Sequence, residues 1–246
     1  MSAVQITGCS GAGKTTIAPV LASRGLAAID SDDDPLLART VDASGNVAED
    51  PAEPDFAWLA RHSWAWNPAR LDELIAAAAP ATLYVCGGAA NELELADRFT
   101  HVFLLEIDEP TMLARIDARP DNDWGRIGDT REYLRSFLPG YQARLRSSGA
   151  IPIDATQPLD CVVEAILSRT LASPSAVQPP RGPAPPRSRP GPRDCIGSLS
   201  GGPNRRPVRA WSDPAQYSHD LAENLGLVSG DGRVGRVMRH QPDVVS

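Results

Sequence analysis

Through the first 171 residues, short apolar runs alternate with longer stretches whose apolar positions recur at helical spacing. The runs Ala3–Thr7, Leu26–Ile29, Thr82–Cys86, His101–Ile107 and Ala150–Ile153 have the length of buried strands. Helical patterns fill the intervals at Lys14–Arg24, Pro68–Ala79, Ala90–Asp97, Glu109–Ala118, Thr130–Ser148 and Pro158–Leu171. Asn67 followed by Pro68 marks one helix start, an N-cap before a proline at the first helical position. Strands and helices that alternate in this way predict an α/β fold: a five-stranded parallel sheet sandwiched between two helical layers.

The pattern stops near residue 172. From there to residue 246 the chain holds 12 Pro and 9 Gly, and its SPSAVQPPRGPAPPRSRPGPR stretch suits neither a helix nor a central strand. The expectation is one domain over 1–171 and a mostly disordered Pro/Arg/Gly-rich tail over 172–246. Charge divides at the same place. Residues 1–171 carry 25 acids against 14 bases, and the tail carries 6 acids against 10 Arg. A body of net charge −11 argues against nucleic acid as a partner, since phosphate backbones select basic surfaces. No apolar run reaches the roughly 18 residues of a membrane span, and the N-terminus lacks the pattern of a secretion signal. The four cysteines show neither metal-ligand spacing nor a disulfide pattern, so a cytoplasmic setting is expected. Nothing in the sequence sets the oligomeric state.

One motif changes the picture. Gly8-Cys9-Ser10-Gly11-Ala12-Gly13-Lys14-Thr15 fits GxxxxGK[ST] between an apolar run and a helical pattern, the context this motif requires. Such a loop turns successive backbone N–H groups inward to cradle phosphates, and Thr16 continues it into the helix. Lys14 is the only lysine beside 23 arginines, and it stands where a compact mobile charge serves the β- and γ-phosphates better than a planar guanidinium. The Thr15 hydroxyl is suited to Mg²⁺. ATP and Mg²⁺ are therefore the expected cofactors. The competing reading is a glycine-rich turn without a ligand.

The second apolar run closes on Ile29-Asp30-Ser31-Asp32-Asp33-Asp34, which places carboxylates at the sheet edge where ligands bind in open α/β folds. Asp30 is suited to hold Mg²⁺ through water, and Asp32 to accept a proton or hydrogen bond from an acceptor hydroxyl. Capping ahead of Pro35 is the alternative role, and the one expected of Asp33 and Asp34. The third run ends in Cys86-Gly87-Gly88, where many phosphate-loop NTPases have an Asp. The glycine pair suits either close approach of a ligand or a tight turn.

The phosphate loop, the Asp-Ser-Asp triplet and the Gly-Gly pair resemble the shikimate kinase and small nucleoside/nucleotide kinase branch of phosphate-loop kinases, over residues 1–171. The resemblance implies γ-phosphoryl transfer from ATP to a small acceptor, a nucleoside or nucleotide first, with Asp30 helping to place Mg²⁺ and Asp32 contacting the acceptor. It also makes 112–126 the lid and the helix leading into it. Arg115 and Arg119, four apart, then face the transferring phosphoryl group, with Arg126 and Arg135 as further candidates. The pattern departs from shikimate kinase at Ala89 and after Arg119-Pro120, where Asp-Asn-Asp follows. An acceptor pocket is expected in the insert holding Phe56, Trp58, Arg61, His62, Trp64, Trp66 and Asn67, although core packing is the commoner fate of such aromatics. The rival to a kinase is an NTPase or nucleotide-dependent switch that uses the tail as a partner-binding arm. The missing Asp after Val85-Cys86 counts against it.

Overall fold

A computed structural model describes residues 2–120 and 122–172. The predicted tail, with Cys195, lies outside the described residues.

Five parallel strands form the main sheet: β1 (Ser2–Gly8), β2 (Ala27–Asp30), β5 (Thr82–Cys86), β6 (His101–Glu106) and β7 (Ile151–Asp154), in the order β2-β5-β1-β6-β7. Alternation along β5 shows why both faces are covered. Leu83 and Val85 join a cluster with Leu71 and Ile75 of α3 (Pro68–Ala78), whereas Tyr84 and Cys86 join Ile17 and Leu21 of α1 (Lys14–Ser23) and Val163 and Ile166 of α6 (Leu159–Ala172). The remaining long helices are α4 (Glu109–Ala118) and α5 (Thr130–Ser147). Among the described residues no helix is long and apolar enough to cross a membrane.

Two expectations need correction. The insert between β2 and β5, expected to carry an acceptor pocket and no strands, contains an antiparallel hairpin of β3 (Ala38–Asp42) and β4 (His62–Trp66), with the short α2 (Phe56–Leu59) between them. Its inward positions, Ala38 and Trp66, pack on α3's side of the sheet. The helix expected at Ala90–Asp97 is absent; turns lead to a single 3₁₀ turn at Ala96–Arg98. Side-chain bonding outcompetes helix formation there. Asn91 Oδ1 accepts from Trp66 N (3.0 Å) and its Nδ2 donates to Trp66 O (2.9 Å). Glu92 turns into the core, where its Oε2 accepts from Gln5 Nε2 (2.9 Å) and Thr7 Oγ1 (2.6 Å). Short polar side chains that bind backbone elsewhere pull a segment away from helix.

Candidate active site

The central strand β1 leads straight into the glycine-rich loop, and α1 starts at Lys14. Gly13, the residue before the helix, sits at φ +101°, a conformation that side-chain-bearing residues rarely adopt. The loop can therefore turn its N–H groups toward the first turn of α1, where the helix dipole favours an anion. Lys14 lies back along the loop, with Nζ donating to Gly8 O (2.7 Å) and Cys9 O (3.0 Å). These carbonyls hold the ammonium at the loop until a stronger anionic acceptor competes.

Both expected lid arginines reach the same loop. Arg115, on α4, donates to Gly11 O (3.3 Å) and Ala155 O (2.8 Å). Arg119 is the residue that ends α4, and it donates to Ser10 Oγ (3.2 Å), Asn122 O (3.1 Å) and Trp124 O. The other two candidates are engaged elsewhere. Arg126 shapes the lid by donating to Arg119 O (2.7 Å) and Asp123 (2.6 Å). Arg135 pairs with Glu109 and Glu132 on the outer surface.

A cleft of about 720 Å³ opens over this arrangement. Gly11 to Thr16, Arg115, Arg119, Asp30, Asp32 and Asp33 all line it. Gly8, Cys9 and Ser10 serve as partners of Lys14 and Arg119. Ala155 and Gln157 line the cleft as well. Asp154, the last residue of β7, spends its carboxylate on Thr156 and Gln157 and so braces the loop that follows.

The two acids of the triplet differ. Asp30 is buried; its Oδ1 accepts from Asp32 N (3.0 Å), while Oδ2 is buried without a hydrogen-bond partner. One oxygen therefore does the capping expected of a bland Asp, and the other is unsatisfied, an arrangement native proteins rarely leave without a ligand or water. Asp30 pairs in register with Cys86, so the carboxylate missing from the end of β5 is supplied one strand over. With the hydroxyl of the exposed Thr15, this donor set fits an oxygen-seeking dication held partly by phosphates. Among the described residues no group of three or more His, Cys, Asp or Glu forms a cation site without that help. Asp34, as expected, caps, accepting from Leu36 N (2.9 Å) and pairing with Arg70 (3.0 Å), and these contacts hold its carboxyl below the usual range.

Of the aromatic insert, only Trp64 reaches the cleft's acids. Its Nε1 donates to Asp32 Oδ1 (3.1 Å). Trp66 is core, Trp58 stacks on His62 with centroids 4.3 Å apart, and Asn67 caps α3. The glycine pair serves packing. A Cβ on Gly87 would lie 1.8 Å from Ser31 Oγ and 2.7 Å from Ser31 Cβ. Asn91 is the site-building residue the sequence reading missed, because its partners are backbone atoms of a hairpin that had not been recognised. Cys9 is a buried thiol whose pKa burial raises to about 11 against the pull of Lys14, so it stays protonated at neutral pH and acts as packing.

No family model and no curated protein matches the sequence. Solved structures similar in fold include a shikimate kinase from Acinetobacter baumannii in complex with shikimate: 18% identity, 71% of this chain and 95% of that one, TM-score 0.48. They also include deoxyadenosine kinase from M. mycoides with bound dATP, at 15% identity over 70% of this chain and 100% of that one, with a TM-score of 0.41. A gluconokinase from Sinorhizobium meliloti 1021 is 17% identical over 69% of this chain and 95% of that one, with a TM-score of 0.42.

Proposed function

We propose that the chain is an ATP-dependent phosphotransferase that moves the γ-phosphoryl group to a hydroxyl of a small acceptor, a nucleoside or nucleotide being the first class to try. One observation carries this reading: the phosphate loop, two arginines and an acid pair line a single cleft. The loop N–H groups and Lys14 bind the β- and γ-phosphates. Arg115 and Arg119 exchange their present carbonyl partners for phosphoryl oxygens and neutralise charge as it moves. Mg²⁺, when bound with the nucleotide, neutralises phosphate charge, and Thr15, with Asp30 through water, would hold it. Asp32 orients the acceptor hydroxyl and takes its proton as the new O–P bond forms, the bond from Pγ to the bridging oxygen breaks and ADP leaves. Most of the acceleration then comes from positioning and fixed charges.

The test is ADP release from ATP with and without a panel of nucleosides, nucleoside monophosphates and polyols. Acceptor-dependent release supports the transferase. Steady release indifferent to every acceptor refutes it and favours an NTPase.

A further inference from the structure

Asp32 is held by one oxygen only. Ser31 Oγ and Trp64 Nε1 both donate to Oδ1, each at 3.1 Å, and no described residue hydrogen-bonds Oδ2. Two donors on one oxygen fix the plane of the carboxylate and leave the other oxygen free as an acceptor in the cleft. The donor that arrives from a distance is Trp64, 32 residues further along the chain. It is set firmly: Trp64 pairs with Thr40 across the hairpin, its carbonyl accepts from Ala90 N (2.8 Å), and Asn91 clamps Trp66 two residues on. Trp64 is nevertheless 38% exposed, a large aromatic residue kept at the surface beside a carboxylate.

Three carboxylates gather at this spot. Asp30, Asp32 and Asp33 line the cleft here. Among the described residues no basic residue of the same insert lines the cleft. Arg70 is paired with Asp34 and Glu73, Arg39 donates to Pro35 O (2.6 Å), and Arg61 donates to Ala57 O (2.9 Å). An acceptor carrying phosphate or carboxylate would meet like charge, and the cations of the cleft, Lys14, Arg115 and Arg119, are those the proposed reaction gives to ATP, a juxtaposition that selects against it.

We infer that the acceptor is an uncharged hydroxyl compound with a planar or apolar face, its hydroxyl on Asp32 Oδ2 and its face against the Trp64 indole. This narrows the nucleoside-or-nucleotide class to the uncharged member and rests on the phosphotransferase reading. Trp64 is in this account a positioning residue: it aims Asp32 through its N–H and offers the acceptor a surface.

The experiment compares each uncharged acceptor with its own phosphomonoester, nucleoside against nucleoside 5′-monophosphate and polyol against polyol phosphate, by ADP release from the native chain. An uncharged compound is expected to be used, and its phosphomonoester to have kcat/KM lower by roughly ten-fold or more. Trp64→Phe keeps an aromatic face, smaller than the indole, and removes the N–H donor. It is expected to lower kcat/KM for the acceptor by roughly ten-fold, the size of a lost hydrogen bond to a charged group, with the KM for ATP and the melting temperature unmoved. Preference for the phosphomonoester, or a Trp64→Phe enzyme kinetically equal to the parent, overturns the inference and leaves phosphoryl transfer standing. Release unaffected by every compound overturns both.

Discussion

Replacing Gly87 by Ala tests whether the glycine pair exists to pack Ser31 or to admit a ligand. The added Cβ would sit 1.8 Å from Ser31 Oγ, 2.7 Å from Ser31 Cβ and 3.1 Å from Trp66 Cζ2. Rotating the serine hydroxyl removes the first clash and leaves the second. Carbon atoms rest at about 3.5–4.0 Å, so Ser31 must retreat by about 1 Å. Ser31 is fully buried, and its neighbours are Asp30 and Asp32, so the retreat drags both carboxylates. Overpacking of this kind costs about 1–3 kcal/mol, and at about 2–4 °C per kcal/mol for a domain of this size the melting temperature should fall by roughly 2–12 °C. Thermal unfolding by fluorescence or calorimetry reads this directly, and acceptor kcat/KM should fall with it. Adding Ser31→Gly to the alanine variant removes both close atoms and should recover much of the lost melting temperature. Gly140 in α5 is the control, since a Cβ there meets nothing, and Gly140→Ala should stabilise by about 0.5–1 kcal/mol. A Gly87→Ala protein that melts with its parent would refute the packing argument.

Lys14→Ala should cut phosphoryl transfer by about 100-fold or more, the scale of removing one preorganised charge stabiliser, while circular dichroism and melting stay near those of the parent. Asp30→Asn should shift the Mg²⁺ concentration needed for half-maximal rate, whereas Asp32→Asn should act on acceptor kcat/KM; equal mild effects would return both residues to capping. Asn91→Ala removes two bonds that pin Trp66 and should cost about 1–3 kcal/mol by denaturant titration. Burial pushes the Glu92 carboxyl above its ordinary range, against the lowering pull of Thr7 and Arg144. With the folded pKa raised, the folded state binds the extra proton, so Glu92's contribution is complete below the unfolded pKa and is lost as pH rises through the folded one. Glu92→Gln should therefore gain melting temperature over the parent at pH 8 and lose that advantage toward pH 4.

The main sheet was legible because each of its strands is a compact apolar run beside a helix of clear period, and the phosphate loop because its spacing is nearly unique to its geometry. Asp30, Asp32, Arg115 and Arg119 were legible through the places they hold next to those elements. The hairpin was not. Its strands are five residues each, twenty residues apart, and only alternate positions such as Ala38 and Trp66 are buried, so their apolar signal is brief. Asn91 and Glu92 were hidden for a related reason. Local propensity favours a helix through 90–97, and the bonds that overrule it come from Trp66, Gln5 and Thr7, partners remote in sequence. The choice among four arginines depended likewise on which acids each meets in space. Arg135 is drawn off by Glu109 and Glu132, while Arg115 and Arg119 have only carbonyls and a hydroxyl to hold them.

Lys14, half-buried against Gly8 O and Cys9 O, carries the only ε-amine in the chain. Acylating reagents that scatter over many lysines in most proteins have one lysine to find here, and it lines the cleft. Labelling of Lys14, resolved from the α-amino group by peptide mass spectrometry, thus becomes a direct readout of whether the cleft is occupied. ATP should slow the modification, and the protection curve should report nucleotide affinity even when no acceptor is present and no turnover takes place.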